Sequence, residues 1–496
     1  MNRRMVVNTL GRIILIESVL MFIPFMISAG YGEWNAALAF GITFLAAGLA
    51  GFLTVRITAE HDRGIHAREG FVIAAFSWIL MSLIGAVPLA VSGEFPSYID
   101  ALFEIVSGFT TTGASVVRDL SVLSHGILFW RSFTHWIGGM GVLVLMMAII
   151  PDDSGRSIFI MRAEMPGPVV DKIVPKVKNT AKILYLIYFV LTAAEVIMLL
   201  FGGMDLFESL VHSMGTAGTG GFGIRADSLG SYSPYCQWVI TAFMLLFGLN
   251  FNLYYLIIAG KIRSALRSEE MHVYLGIAVV STTIIAINVA RMYSTVGEVI
   301  RHSAFQMASI LTTTGFSTVD FNQWPGLSKT ILVVLMCIGG CAGSTAGGLK
   351  VSRVILIIKG IGSEIKHLLH PRSITRGTFE GKGITKELRS GVNSYFALYI
   401  LVFAVTFIIV SFESFDFETN ATAVIACMNN IGPGLAGVGP AAGYYDYSVV
   451  SKLVLSLAML MGRLELYPII LAMASIGKRN IGSARLSQTK RAVRRS

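Results

Sequence analysis

Charged residues are scarce in this sequence: Asp, Glu, Lys and Arg make up 14% of its 496 residues, while 54% are hydrophobic. A soluble domain carries about 25% charged residues, so the composition argues against a soluble chain. Cysteine is scarcer still. Cys236, Cys337, Cys341 and Cys427 show no Cys-x-x-Cys spacing, and no histidines cluster near them. That argues against a zinc site or a disulfide framework. Apolar–polar alternation over barrel-strand length is missing, which disfavours a membrane β-barrel. No Gly-x-Ser-x-Gly surrounds Ser115, Ser317 or Ser344, and an intramembrane serine protease would need a serine activated by a base. There is no Rossmann Gly-x-Gly-x-x-Gly after a strand, and "GSTAGG" runs into Leu349 instead of completing a P-loop. The chain reads as neither an enzyme nor a holder of an organic cofactor. His135 and His212, isolated on apolar segments, read as packing or hydrogen-bonding residues.

Long apolar runs are plentiful. They cover Leu10–Ser28, Trp34–Val55, Phe71–Val91, Trp130–Ile150, Ile183–Phe201, Trp238–Ala259, Val273–Val289, Lys329–Gly339 continuing to Ile358, Tyr395–Ser411 and Leu453–Ile476. Most reach the ~17–25 residues that cross a bilayer as a helix. The expectation is an all-α polytopic membrane protein with ten spans, the eighth of them interrupted. "MNRR" resembles the start of a signal peptide, but Leu10–Ser28 is long for one and a second span follows at once, so it reads as a retained helix.

The net charge is +10, and its placement is informative. Lys and Arg gather in alternate loops, at Arg56–Arg68, Arg156–Lys182, Lys261–Arg267, Lys359–Arg389 and Lys478–Arg495. Positive residues favour the cytoplasm, which puts both termini inside, as an even number of spans requires. Charges divided among short loops do not make a nucleic-acid face.

Polar, glycine-bearing stretches interrupt this pattern four times. Ala101–Val117, Ser209–Arg225, Ser303–Val319 and Asn420–Ala436 align without gaps, and such internal repeats define the architecture. Gly113, Gly221, Gly315 and Gly432 fall in register, and six positions earlier stand the small residues Ser107, Gly215, Ser309 and Ala426. Gly108 lies outside this register. Each aligned glycine follows a helix-like segment of only about 12 residues, too short to span. The repeated unit is therefore helix, short re-entrant helix, extended loop, helix. Non-helical backbone at membrane depth is tolerated only where protein buries it or where it lines a wet cavity. Four such loops around one axis can turn carbonyl oxygens inward and replace the hydration shell of a potassium ion. The dihedrals this needs are open to glycine without a Cβ penalty, and helix C-termini aimed at the site favour a cation.

With "TTTGAS", "TGGFG", "TTTGFST" and "NNIGPG", the loops resemble those of the TrkH/KtrB superfamily of potassium-uptake proteins, from about Phe71 to Ile476. The two extra N-terminal spans and "NNIGPGLAGVGP" are similar to the TrkH branch. The resemblance implies a selectivity filter built from Thr111, Thr112, Gly113, Thr219, Gly220, Gly221, Thr313, Thr314, Gly315, Asn430, Ile431 and Gly432. It places the transported K⁺ at Thr112, Gly113, Gly220, Gly221, Thr314, Gly315, Ile431 and Gly432. Asn429 and Asn430 replace threonines, so side-chain oxygens cannot be four-fold symmetric. It divides the chain into two extra helices (1–70), pore repeats at 71–165, 166–268 and 269–390, and a fourth repeat with a basic tail (391–496). It also implies a homodimer in a prokaryotic plasma (inner) membrane, and a TrkA-like cytoplasmic ring that supplies nucleotide control. Glycine at all four aligned positions implies potassium preference.

The third repeat carries "GGCAGSTAGGLK", Gly339–Lys350. Its five glycines weaken a helix by roughly 1 kcal/mol each relative to alanine, so an unwound segment is expected. The resemblance makes it an intramembrane loop that obstructs the pore. The candidate gate residues are Gly339, Gly340, Gly343, Gly347, Gly348, Lys350 and Arg463. A guanidinium inside an apolar span costs roughly 2.5–3.5 kcal/mol. Arg463 is therefore either an electrostatic barrier beside the loop or the partner of a pore-helix carboxylate such as Glu104 or Glu208. Glu465, two residues on, points to a different helix face. The nearest rival class is a secondary cation symporter coupled to Na⁺ or H⁺. Such carriers with broken helices typically show two repeats rather than four.

Overall fold

The structure, a computed structural model, describes residues 3–58, 67–141, 177–371, 377–472 and 474. Helix dominates, as it must where hydrocarbon offers backbone polar groups no partner. Among the described residues, six helices are long and apolar enough to cross a membrane: Arg3–Gly30, Trp34–Ile57, Glu69–Val91, Ala181–Phe201, Glu269–Met292 and Lys386–Val410. The first two lie along one another through small residues: the position a Cβ would take on Gly51 is 3.0 Å from the Gly11 carbonyl. Small residues that let backbones approach are the usual contact between membrane helices. This pair packs on Ala67–Gly85 and His125–Gly139.

The remaining spans read from the sequence are the second helices of the four repeats, and all four stop early. His125–Gly139, Pro234–Phe247, Gly326–Ile338 and Val449–Arg463 have 15, 14, 13 and 15 residues. Trp238–Ala259, expected to be continuous, breaks at Gly248–Asn250, and Phe251–Ile258 leaves at 88° to the helix before it. The Asn250 side chain accepts from the Asn252 N–H and restarts the helix there, as an N-cap does. Leu453–Ile476 also breaks, at Leu464–Leu466, with Glu465 and Leu466 at φ 58° and 63° and Pro468 just beyond. The break expected at Gly339–Lys350 is present, with the helix resuming as Val351–Leu369. In the first repeat, Trp130–Ile150 lies outside the described residues beyond 141. So do most of Arg56–Arg68 and Arg156–Lys182, part of Lys359–Arg389, and the tail Lys478–Arg495.

Before each of these helices stands a short one: Tyr98–Phe109, Leu206–Gly218, Val296–Leu311 and Phe417–Met428. Each begins on a capping side chain (Ser97, Asp205, Thr295, Asp416) that accepts a backbone N–H. Each also carries an acid in its first turn: Asp100, Glu208, Glu298 or Glu418. Both features hold the positive end of a helix dipole. A two-stranded hairpin, Thr378–Phe379 with Lys382–Gly383, precedes the helix Lys386–Val410.

Candidate functional site

The four short helices end identically. Thr111, Thr219, Thr313 and Asn430 all adopt a left-handed conformation, with φ of 54°, 56°, 56° and 56°. Their N–H groups reach back three residues, to Gly108, Thr216, Ile310 and Cys427. The next N–H, of Thr112, Gly220, Thr314 or Ile431, donates to the carbonyl of Ser107, Gly215, Ser309 or Ala426 at 2.8–2.9 Å. This is the Schellman end of a helix. It explains the small residues six positions before each glycine: they stand at the start of the final turn, where the loop folds back. Non-glycine residues in this conformation cost roughly 1–2 kcal/mol each. Each loop thus spends one such non-glycine residue two positions before its glycine.

Two residues further on, the aligned glycines close a ring. Gly113, Gly221, Gly315 and Gly432 have φ of 79°, 74°, 87° and 95°. A Cβ on Gly113 would overlap the Gly220 carbonyl oxygen, one on Gly221 that of Thr314, and one on Gly315 that of Ile431. On Gly432 it would stand 2.6 Å from the Thr112 carbonyl oxygen. Every loop thus lays the carbonyl just before its own glycine against the glycine of a neighbour, in the cycle first, second, third, fourth, first. Glycine is needed here twice over, for its dihedral and for the missing Cβ. A cavity of about 190 Å³ borders all four ring glycines, with Ser115, Ser317 and Tyr444 in its wall.

Side chains break the symmetry. The Thr110 and Thr112 hydroxyls are 2.8 Å apart, as are those of Thr312 and Thr314; the second and fourth loops have no such pair. The Asn430 amide donates to the Thr112 hydroxyl at 3.0 Å and to the Met459 carbonyl at 2.9 Å. The Tyr444 hydroxyl donates to the Gly432 carbonyl at 2.8 Å.

The ring is braced from behind. His135 has Nδ1 2.8 Å from the Gly108 carbonyl, and its Nε2 accepts from the Phe222 N–H at 3.3 Å, joining the first and second loops. His212 bonds the Glu208 carbonyl. Both behave as the structural histidines expected. Glu104, fully buried, pairs with Arg131 at 2.7 Å and accepts from the Ser115 hydroxyl and the Val116 N–H. Glu208 pairs with Arg225. Neither carboxylate pairs with Arg463 among the described contacts.

Arg463 instead ties the end of the helix His125–Gly139 to the unwound segment. Its guanidinium donates to the Gly138 and Gly139 carbonyls at 2.6 Å, and to that of Thr345 in the unwound segment at 2.7 Å. Glu465, in the break at Leu464–Leu466 rather than on the helix, pairs with Arg353. The unwound segment is held on its other flank by the break at Gly248–Asn250. The Cys341 N–H donates to the Gly248 carbonyl at 2.9 Å, and the Phe251 N–H to that of Gly343 at 3.0 Å. Gly339, Gly343, Gly348 and Lys350 have positive φ, and Gly340 packs on Ala346. The buried ammonium of Lys350 folds back onto the Ala346 carbonyl. The Gly347 N–H donates to the Thr313 hydroxyl at 2.6 Å, so the segment touches the ring loops directly. Sequence reading missed Glu270. Buried, it accepts from the N–H groups of Ala342 at 2.7 Å and Ser352 at 3.0 Å. The available signal was a carboxylate in the first turn after Ser268, at the mouth of an apolar span.

Membrane-length helices, short helices ending on one closed ring, and an unwound segment against that ring define a polytopic helical membrane protein organised about a single four-loop centre. Comparison with known proteins makes this specific: a family model described as TrkH, cation transport protein, matches residues 35–480, and the chain belongs to that family. It is 34% identical over 479 residues to the Trk system potassium uptake protein TrkH of Escherichia coli (strain K12), covering 95% of this chain and 98% of that protein. It is 35% identical over 475 residues to TrkG of the same strain, covering 94% and 97%. The crystal structure of the potassium transporter TrkH from Vibrio parahaemolyticus superposes with a TM-score of 0.86 at 30% identity, covering 95% of this chain and 98% of that one. These relatives are transport proteins, not enzymes.

Proposed function

We propose that this chain takes up potassium ions across the plasma membrane of a prokaryote through the glycine ring. The observation that carries the reading is the cyclic contact of Gly113, Gly221, Gly315 and Gly432 with the carbonyls of their neighbours. Backbone oxygens gathered this closely can replace the hydration shell of a cation, and four short-helix C-termini add negative potential. The filter comprises the residues from Thr111 to Gly113, Thr219 to Gly221, Thr313 to Gly315, and Asn430 to Gly432. Each belongs to one of four repeats, at 71–165, 166–268, 269–390 and 391–496. Gly339–Lys350 is the gate and Arg463 its clamp and positive charge. Both termini lie in the cytoplasm, two copies of the chain pair in the membrane, and a TrkA-like nucleotide-binding ring docks on the basic cytoplasmic loops. The relatives named for Trk potassium uptake support the choice of ion.

The test is flux into liposomes, comparing K⁺, Rb⁺ and Na⁺ with and without a proton gradient. Potassium-selective flux that ignores the gradient supports a gated pore. Flux that requires a proton or sodium gradient supports a symporter, and absence of potassium preference overturns the reading.

A further inference from the structure

Glu270 sits where two structures meet. On one side its carboxylate takes the N–H groups of Ala342 and Ser352, just inside and just beyond the unwound segment 339–350. On the other, its own backbone N–H donates at 2.9 Å to Glu380, and the Ser268 hydroxyl donates to the same Glu380 oxygen at 2.8 Å. Glu380 therefore caps the helix that carries Glu270. It lies on the exposed turn of the hairpin, where Glu380 and Gly381 both have positive φ (48° and 71°). That is the two-residue turn whose twist suits paired strands. The hairpin is fastened in turn. Lys359 donates to the Thr378 carbonyl at 2.6 Å and pairs with Glu269, and Phe379 is buried against the same helices. An exposed turn and the buried unwound segment are thus connected by two hydrogen-bonded carboxylates that meet at one helix end.

We infer that Glu270 is the positioning residue that holds the unwound segment in its closed conformation, and that the 378–383 hairpin governs this hold through Glu380. The inference rests on the reading of 339–350 as a gate. Its physical content is that buried N–H groups must find acceptors. While Glu270 is in place, Ala342 and Ser352 are satisfied and the segment stays under the ring. A force on the hairpin that withdraws Glu380 leaves the Glu270 N–H without its acceptor, with only Ser268 still capping the helix through Met271, and loosens Glu270.

The test uses the full chain in liposomes, with potassium flux, the K⁺/Na⁺ flux ratio and amide hydrogen exchange over 341–352 as readouts. Glu270→Ala is expected to raise potassium flux roughly tenfold, in line with loss of charge-assisted hydrogen bonds. The ion ratio should stay constant and exchange should speed up. Glu270→Gln, which retains the acceptor oxygen, should return all three towards the wild-type values. Glu380→Ala should raise flux by a smaller factor, and should add nothing to Glu270→Ala, because both act through one contact. A variant lacking 343–347 serves as the gate control. If that deletion raises flux while a folded Glu270→Ala leaves flux and exchange unchanged, the inference is overturned and the gate reading survives. If neither raises flux but exchange speeds up in Glu270→Ala, the gate reading fails and the positioning role stands. If Glu270→Ala does not fold, Glu380→Ala decides, and wild-type flux there overturns the inference.

Discussion

The backbone N–H of Gly347 donates to the hydroxyl of Thr313 at 2.6 Å, joining the unwound segment to the left-handed residue of the third ring loop. A Cβ on Gly347 would also overlap the Asn429 carbonyl oxygen, so the segment is wedged between the third and fourth loops. Ring and segment touch at this point, and removing this contact is expected to register in both.

Thr313→Val keeps the shape of the side chain and removes the acceptor. A buried N–H left without a partner costs about 1–3 kcal/mol. The expected outcome is higher potassium flux with a reduced K⁺/Na⁺ ratio, measured in liposomes, and wild-type behaviour for Thr313→Ser. Equal effects of Val and Ser would mean that methyl packing, not the hydrogen bond, matters at this site.

Arg463 donates to three carbonyls in two different segments from two separate guanidinium nitrogens, whereas an ammonium offers its donors from a single point. Arg463→Gln is expected to raise potassium flux. Arg463→Lys restores the charge without the bridge, so its flux should fall between those of the wild type and the glutamine variant. Lysine flux equal to wild type would assign the whole effect to charge. If Arg463→Gln fails to fold, the arginine is a structural clamp alone.

Gly113→Ser drives a Cβ into the Gly220 carbonyl oxygen and keeps a left-handed φ that serine disfavours. The displaced carbonyl no longer fits a dehydrated potassium ion, so the K⁺/Na⁺ permeability ratio should fall. Gly108 is a poor reference position, although it lies outside the register, because a Cβ there would overlap Thr134. Gly297 is the better control: a Cβ there has its nearest neighbour, the Thr295 hydroxyl, at 4.0 Å. Gly297→Ser should leave the ratio unchanged.

Tyr444→Phe tests the asymmetry of the ring. The phenol occupies one lone pair of the Gly432 carbonyl, so that oxygen is oriented by a side chain as well as by its loop. Removing the hydroxyl should lower potassium selectivity by a modest factor, roughly two- to fivefold for one neutral hydrogen bond, with thermal stability nearly unchanged. A large loss of stability with constant selectivity would make Tyr444 a packing residue only.

Much of this architecture was written in the chain. Apolar runs of bilayer length, four gap-free repeats and the glycine cluster at 339–350 specify helices, short helices, loops and a break, because hydrocarbon permits few backbone conformations and glycine density marks where helix fails. The aligned glycines could be picked out by register alone. The tertiary structure decided what periodicity does not encode. Among the described residues, two further helix breaks depend on one or two residues each, such as Asn250 and Pro468, and an apolar run conceals them. The left-handed threonines at 111, 219 and 313 depend on a fold-back whose acceptor lies five residues earlier. The partners of Arg463 depend on which carbonyls the helix end at Gly138–Gly139 and the unwound segment at Thr345 leave open, and the role of Glu270 on N–H groups 72 and 82 residues away in sequence. Local pattern determines which segments cross and which break. Only the packing of distant segments determines which exposed backbone groups meet, and that meeting makes a ring and a closed segment out of four loops.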